Sequence, residues 1–423
     1  MTPKNGNPVA IWTARAAALA VLAILASLCW KTAWSDWLSQ TGNLDALRQA
    51  VAMEPDNARY KIRLSQQLDF TNPSEAVRQW VEANRLNPRL PDSWLALGLY
   101  AEAQGQREEA ERLLQKAVDI DHQFKPIWTL INFYMRTGQK EKMWPNIAKA
   151  IDVITQPDLG YFDLRPIFDI CRAAGADNAR MLSLLPHRDY VQKYYFFYLV
   201  ENNQPVEALP MFDTALRTAE TASLNEQRQF VHFDEIMFAN GRQAEAAGIW
   251  NKLVEHKLVA STAMHPEKGD GIANPNFTLP FEPQPFGWQL PERNVTATTY
   301  SPGSVWFEFT GQQPESSELL VKNLAVLPDK TYFVTWNATT EGLSINPEHD
   351  GLMLLFLADG KQLEAKCTPF LAKQDRGCTF HSPRNTAAVR MIVAYERQPG
   401  TVRLRGGLRL NSFSMTFAPA GNS

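Results

Sequence analysis

The sequence predicts an α+β multidomain protein: a transmembrane helix, then an α-solenoid of helical hairpins, then an antiparallel β-sandwich. Three observations predict this order: an apolar N-terminal stretch, a helical pattern recurring about every 34 residues, and C-terminal apolar residues that alternate with period two. The predicted segments are a cytoplasmic tail at 1–8, a transmembrane anchor at 9–33, a solenoid at 43–258, a linker at 259–273 and a sandwich at 274–418.

The composition excludes several classes of protein. A net charge of −3 over 423 residues gives no reason to expect nucleic acid as a partner. No Walker loop, Rossmann fingerprint, HExxH, GxSxG or EF-hand loop occurs, and the 7 histidines are scattered. Carboxylates such as Glu308, Glu341 and Asp350 leave a glycosidase as the minor alternative. We therefore expect no enzymatic activity, no cofactor and no bound metal.

The apolar stretch at residues 9–30 predicts the membrane anchor. It is apolar except for Arg15, and as a helix it would be about 33 Å long, enough to cross a bilayer. Trp30, Trp34 and Trp37 cluster at its far end, as aromatic residues do at a membrane interface.

Two alternatives to an uncleaved anchor are weaker. A signal peptide would need an A-x-A pattern after the apolar run, and a lipoprotein signal would need a small residue where Leu28 precedes Cys29. Lys4 and Arg15 favour a cytoplasmic N-terminus, although Lys31 reduces the asymmetry. The sequence thus predicts a single-pass inner-membrane protein with most of the chain in the periplasm.

Cys367 and Cys378 are the closest pair among the 4 cysteines and flank a long hairpin loop. No CxxC motif or histidine cluster accompanies them, which argues against zinc. In an oxidising compartment they would form a disulfide, and the predicted periplasmic location therefore favours that bond.

Residues 91–122 carry the strongest repeat pattern. Trp94, Leu97, Gly98, Gly105, Ala110, Leu114 and Ala117 stand at the offsets of a tetratricopeptide repeat (TPR), so this segment resembles that family. Small residues suit the close crossing of two helices, and a glycine suits the turn between them. Weaker copies on both sides predict five or six hairpins, with an off-pattern helical stretch at 157–187.

The TPR resemblance implies a concave face that binds extended peptides or partner proteins. The family's groove-facing positions fall on Lys61, Ser65, Leu95, Leu99, Glu102, Thr129, Phe133 and Arg136. This mixed set leaves two interpretations open: a partner groove, or a partly filled concavity that contacts its own chain.

Alternating segments after residue 300 predict the strands of the sandwich. Residues 304–311 place Val305, Phe307 and Phe309 on one face, and residues 331–338 repeat the pattern. The proline-rich stretch 274–292 precedes them and cannot continue a helix.

Both ends of this region resemble galactose-binding-like jelly-roll modules. "NPNFTLPFEPQPFGW" is similar to their first strand, with Trp288 in the core, and "LRLNSFSM" is similar to the last strand that pairs with it. Relatives often hold a structural calcium with acidic residues where this chain has Thr278 and Asn411. The resemblance therefore implies the fold without a calcium site.

A candidate glycan-binding set lies on the polar faces of two of these strands: Trp306, Glu308, Arg403, Arg405 and Arg409. An indole ring can stack on a sugar, and guanidinium groups can bind carboxylate or phosphate. The alternative is an ordinary solvated sheet face.

The order of domains also resembles that of repeat proteins of bacterial envelope polysaccharide machinery. The resulting hypothesis is an adaptor in exopolysaccharide or O-antigen assembly that binds membrane-complex subunits and polysaccharide. The alternative is a purely structural subunit.

Overall fold

The structure is a computed structural model that describes residues 8–156, 163–217, 223–281, 285–291, 297–343, 351–372 and 376–419. The chain divides into two compact units, Met1–His187 and Arg188–Ser423, here called the first and the second unit. Helices make up the described part of the first unit, and the second combines helices with two antiparallel sheets. This arrangement confirms the predicted α+β multidomain class.

The helices of the first unit follow one another with short connections. They are α1 (Pro8–Gln40), α2 (Leu44–Met53), α3 (Ala58–Leu68), α4 (Pro73–Leu86), α5 (Pro91–Ala103), α6 (Arg107–Ile120), α7 (Phe124–Arg136), α8 (Lys140–Ile154), α9 (Arg165–Ala173) and α10 (Asn178–Leu184). Helices α3 and α4, α5 and α6, and α7 and α8 pack together in pairs, as hairpins of the predicted repeats would.

The α5–α6 hairpin shows why the repeat needs small residues. A Cβ atom on Gly98 would lie 2.7 Å from the Leu114 side chain, so only glycine allows the two helices to approach this closely. Gly105 has a φ of +75° in the connecting turn, a backbone conformation that glycine adopts without strain. Ala110, the other predicted small position, is fully buried.

Helix α1 continues well beyond the predicted anchor and ends at Gln40. The segment Trp12–Gln40 is long and apolar enough to cross a membrane, and it lies near the N-terminus. The last turns of α1 pack on the first hairpin, where Leu38 contacts Ala50 and Tyr60. Only the short connection at residues 41–43 separates the apolar helix from α2.

The second unit begins with α11 (Asp189–Glu201), α12 (Pro205–Ala208), a 3-10 turn (Leu209–Met211), α13 (Phe212–Leu216), α14 (Leu224–Ala239) and α15 (Gln243–Glu255). Stacked and edge-to-face aromatic contacts join these helices, for example Phe196 with Phe230 and Phe212 with Phe233. The segment that packs against α11 is split into short pieces at Pro210. Proline causes the split because it lacks the N–H that a continuous helix needs.

Eleven strands are present in the described part of the second unit. They are β1 (Trp288–Gln289), β2 (Ala297–Ser301), β3 (Ser304–Thr310), β4 (Ser316–Ala325), β5 (Thr331–Glu341), β6 (Leu352–Ala358), β7 (Lys361–Gln362), β8 (Ala365–Cys367), β9 (Gly377–His381), β10 (Ala388–Glu396) and β11 (Arg405–Phe417). One sheet has the order β1-β4-β10-β6-β7 and the other β2-β3-β11-β5-β9-β8.

The two sheets share one hydrophobic core. Val305, Phe307 and Phe309 are buried in it, as their alternation predicts, and so is Trp288. Alternation with Leu404, Leu408 and Leu410 predicts that Val402 faces the core, but Val402 is 83% exposed. The reason is that β11 begins only at Arg405.

The segment before β1 differs from the first strand that the jelly-roll resemblance implies. Residues 274–281 form turns, and Asn274 and Phe277 have positive φ values of 49° and 52°. The Asn274 side chain holds this turn through two hydrogen bonds with the backbone of Leu279. Contact with the last strand includes one backbone bond, from the Phe413 N–H to the Pro275 carbonyl. Proline and left-handed residues prevent a regular ladder here.

The predicted linker at 259–273 also packs against the sheets. The Gly271 carbonyl accepts a hydrogen bond from the Ala325 N–H, and Ile272 is buried in the sheet core. Just before β1, the ring of Phe286 contacts Phe238 of α14 and Trp250 of α15. Helices and sheets of the second unit therefore share buried contacts.

Candidate functional site

The predicted solenoid groove is only partly accessible. Lys61, Ser65, Leu95 and Phe133 are buried, so their side chains offer no surface to a partner. Each lies on the inner face of α3, α5 or α7. Four of the eight predicted groove positions therefore pack inside the helical hairpins.

Three of the other four predicted groove residues make contacts that limit their availability. Arg136 donates two hydrogen bonds to Glu102, at 2.8 and 2.7 Å, and these bonds raise the pKa of the guanidinium. The hydroxyl of Thr129 donates to the Lys125 carbonyl at 2.9 Å. Leu99 is 43% exposed. This face thus combines one open apolar side chain with polar groups that already contact the chain itself.

Ion pairs connect successive repeats in the same region. Glu102 and Arg136 are 34 residues apart, and Lys125 reaches Asp92, one repeat earlier, at 2.6 Å. Such exposed pairs contribute little stability each, roughly 0–1 kcal/mol. Their spacing matches the repeat, so they help to set the register between neighbouring hairpins.

The structure brings Trp306 and Arg409 together on the outer face of the six-stranded sheet. The two residues are direct partners across strands β3 and β11. The Arg409 guanidinium lies 5.0 Å from the Trp306 ring centroid, a cation–π contact. Arg409 also approaches Ser304 at 3.3 Å and Glu341 at 3.7 Å.

Gly407 explains why the Trp306 ring lies across the neighbouring strand. A Cβ atom on Gly407 would lie 1.8 Å from the indole, so the ring occupies the space that a side chain would fill. Trp306 is half-buried as a result. Two further predicted residues share this face: Glu308 is exposed opposite Gly407, and Arg405 is exposed opposite Thr310.

Arg403 belongs to a different cluster. It lies before the start of β11, and its guanidinium pairs with Glu315 at 2.7 Å. Arg397 pairs with the same carboxylate, and hydrogen bonds from the two arginines lower the pKa of Glu315. Arg403 thus precedes the strand that carries Arg405 and Arg409, because β11 begins two residues later.

Sequence reasoning missed Gly407 and the position of Glu341 beside Arg409. Both depend on the register between β11 and its neighbours, and alternation along one strand carries no information about register. The paired glycines Gly406 and Gly407 inside an apolar strand were a usable signal, since glycine in a strand often marks the close approach of another group.

The predicted disulfide is confirmed. Cys367 and Cys378 are directly opposed on β8 and β9 and form a disulfide bond. The bond connects the edge strand β8 to the rest of its sheet.

His232 and Glu235 form an exposed pair at 3.1 Å. Among the residues that the structure describes, no group of three or more His, Cys, Asp or Glu is placed to hold a metal ion.

Two buried ionisable groups in the second unit were not predicted. Lys322 points into the core, 4.9 Å from the Trp288 ring, and donates a hydrogen bond to the Phe286 carbonyl; burial lowers its pKa well below the ordinary value. Asp234 is fully buried on α14, and none of the residues that the structure describes forms a hydrogen bond with its carboxylate oxygens. Burial, with a smaller contribution from Glu235, raises the pKa of Asp234 well above its ordinary value.

The solved structures that are similar to this chain include helical-repeat proteins. No family model and no curated protein matches this chain. Similar solved structures include YrrB, described as a TPR protein with an unusual peptide-binding site, at 12% identity and a TM-score of 0.25, covering 51% of this chain and 94% of YrrB. Pseudomonas aeruginosa PilF is 15% identical with a TM-score of 0.28, covering 53% of this chain and 92% of PilF. MamA is 16% identical with a TM-score of 0.25, covering 42% of this chain and 87% of MamA. These values are too low to support a statement about function.

Proposed function

We propose that this chain is a membrane-anchored scaffold whose bulk lies in the periplasm, with protein partners bound by the solenoid and glycan bound by the outer sheet face. The apolar helix Trp12–Gln40 supports the anchor. The Cys367–Cys378 disulfide supports an oxidising compartment, because such bonds rarely persist in a reducing cytosol. Assembly or export of exopolysaccharide or O-antigen is the process we propose for it.

The observation that carries the glycan proposal is the Trp306–Arg409 pair lying across Gly407. A ring laid along a sheet presents a flat apolar surface, and sugar rings stack on such surfaces. Glu308 and Arg405 supply charged groups on the same face. A guanidinium beside the ring suits an acidic sugar, since it pairs with a carboxylate through two parallel hydrogen bonds.

The test is polysaccharide binding by the whole chain in detergent or nanodiscs, measured by pull-down and titration with acidic and neutral glycans. We expect Trp306→Ala and Arg409→Gln each to weaken binding of an acidic glycan about tenfold, in line with the loss of one stacking or charge-assisted contact. Arg390→Gln is the control, because Arg390 is exposed on the other sheet and pairs with Glu318. Equal affinity of all four proteins would contradict the proposed site.

A purely structural role is the second candidate. It is favoured by the contacts that Arg409, Glu102 and Arg136 already make within the chain. Under this role no glycan binds, and the chain co-purifies with membrane-complex subunits whose retention is weakened by Leu99→Asp on the solenoid. Release of reducing ends from a bound polysaccharide would instead support the glycosidase alternative.

A further inference from the structure

A cavity of about 770 Å³ lies where helix α1 meets the first hairpins. It is formed by Lys31 of α1, the turn between α2 and α3, and the turn between α4 and α5. Its volume falls within the range of roughly 300–1,000 Å³ that is common for small-molecule sites. Nothing in the proposed scaffold function accounts for this cavity.

The charges that line the cavity are of both signs. Lys31 and Arg59 are exposed cations, and among the described residues neither side chain has an ion-pair or hydrogen-bond partner. Glu54 and Asp56 contribute carboxylates, and Glu54 accepts a hydrogen bond from Asn57 at 3.2 Å. Met53, Leu86 and Leu90 add apolar side chains to the lining.

The position of the cavity along α1 points to a membrane interface. From Trp12 to Trp30 a helix rises about 27 Å, close to the thickness of a bilayer's hydrocarbon core. Lys31 follows directly, and the exposed rings of Trp30, Trp34 and Trp37 stack on the same stretch of helix. If α1 crosses the membrane, Lys31 lies at the level of the lipid headgroups.

Helix α1 cannot swing away from the cavity without losing packing. Ser35, Leu38 and Ser39 are buried, and the hydroxyl of Ser39 accepts a hydrogen bond from Arg63 of α3 at 2.5 Å. These contacts hold Lys31 and the α2–α3 turn at a fixed separation. The cavity is thus a built feature of the helix junction.

We propose that this cavity binds the headgroup of a zwitterionic aminophospholipid of the phosphatidylethanolamine class. Lys31 and Arg59 bind the phosphate, and the carboxylates of Glu54 and Asp56 accept hydrogen bonds from the primary ammonium. An anionic glycerol headgroup has no cation for the two carboxylates, and a trimethylated choline headgroup has no N–H to donate. The lipid's acyl chains then lie along the exposed apolar face of α1. This inference rests on the proposed membrane anchor.

The test uses the full chain in nanodiscs that contain equal amounts of ethanolamine, choline and glycerol phospholipids. Native mass spectrometry then counts the lipids that the released protein retains. We expect preferential retention of the ethanolamine lipid, reduced about tenfold by the double change Lys31→Gln with Arg59→Gln. Asp56→Asn with Glu54→Gln should remove the preference for ethanolamine over choline. Lys116→Gln is the control, since Lys116 is exposed on α6 outside the cavity.

The outcomes separate this inference from the proposed anchor. A chain that does not enter nanodiscs would refute the anchor itself. A chain that enters them but retains the three lipids equally, with no effect of the cavity variants, would refute the headgroup site alone. Preference for the anionic glycerol lipid would also overturn the proposal. Soluble glycerophosphoethanolamine should compete with the lipid, whereas inorganic phosphate at the same concentration should compete much less.

Discussion

At the scale of single residues, an unusual group is the Asp234 carboxyl, which is buried among the helices of the second unit and has no hydrogen-bond partner among the described residues. An unfolded aspartate titrates near pH 4, whereas burial keeps the folded group protonated to higher pH. Below about pH 4 both states are protonated and the carboxyl has no effect. As the pH rises further, loss of the proton lowers the free energy of the unfolded state alone. The free energy of unfolding therefore falls.

We expect Asp234→Asn to stabilise the second unit at neutral pH and to have little effect near pH 3.5. Between the unfolded and the folded pKa, the free energy of unfolding of the variant should rise relative to the unsubstituted protein by about 1.4 kcal/mol per pH unit. Urea unfolding followed from pH 3.5 to 8 measures this difference.

The control for that measurement is Glu255→Gln, which removes an exposed carboxylate at the end of α15. The free energy of unfolding of Glu255→Gln, relative to the unsubstituted protein, should not show the same rise with pH. A difference between Asp234→Asn and the unsubstituted protein that stays constant across the whole pH range would show that Asp234 is charged in the folded state.

At the scale of elements, two helical glycines have opposite roles. Gly98 of α5 contacts Leu114 so closely that a methyl group would force the two helices apart. Gly248 of α15 has open space where a Cβ atom would lie. Glycine within a helix otherwise costs about 0.5–1 kcal/mol relative to alanine.

We expect Gly248→Ala to raise the free energy of unfolding of the second unit by about 0.5–1 kcal/mol. Gly98→Ala should lower that of the first unit by about 1–3 kcal/mol, because overpacking outweighs the gain in helix propensity. Calorimetry of the two variants checks the direction of both changes. The unfolding transitions of the first and the second unit are analysed separately. Stabilisation by Gly98→Ala would mean that Leu114 moves aside without cost.

How far the sequence predicts these elements depends on the range of the interactions involved. Local periodicity identified the α5–α6 hairpin and the inward residues of β3, because each pattern is set within one or two elements. The partners of Arg409 and Arg403 depend on register and on where β11 begins, which contacts between distant segments decide. Burial of Lys61 and Phe133 likewise depends on how neighbouring hairpins pack.

At the scale of the molecule, the helices and sheets of the second unit are interdependent. The ring of Phe286 packs against α14 and α15, while its carbonyl accepts the hydrogen bond of Lys322 inside the sheet core. Removing the helices would expose the Phe286 ring. It would also disturb the Phe286 carbonyl, which accepts the hydrogen bond of the buried Lys322. We therefore expect a sheet region cut at the predicted linker to lose stability.

We expect a fragment of residues 188–423 to unfold in one cooperative transition. A fragment of residues 270–423 should be less stable by several kcal/mol, on the scale of losing a large buried aromatic contact, and it should bind a hydrophobic dye. Comparing the two fragments by urea unfolding and dye fluorescence makes the test. Equal stability of the two would show that α14 and α15 do not contribute to the sheet core.

The double contact of Phe286 also has a consequence for synthesis. Helices α14 and α15 precede every strand in the sequence, so they leave the ribosome, and any export channel, before the sheets do. Local helical hairpins form quickly, whereas sheets with distant pairings form slowly. The hairpin can thus provide a prefolded surface on which the later strands assemble, which shortens the time that their apolar faces are open to aggregation.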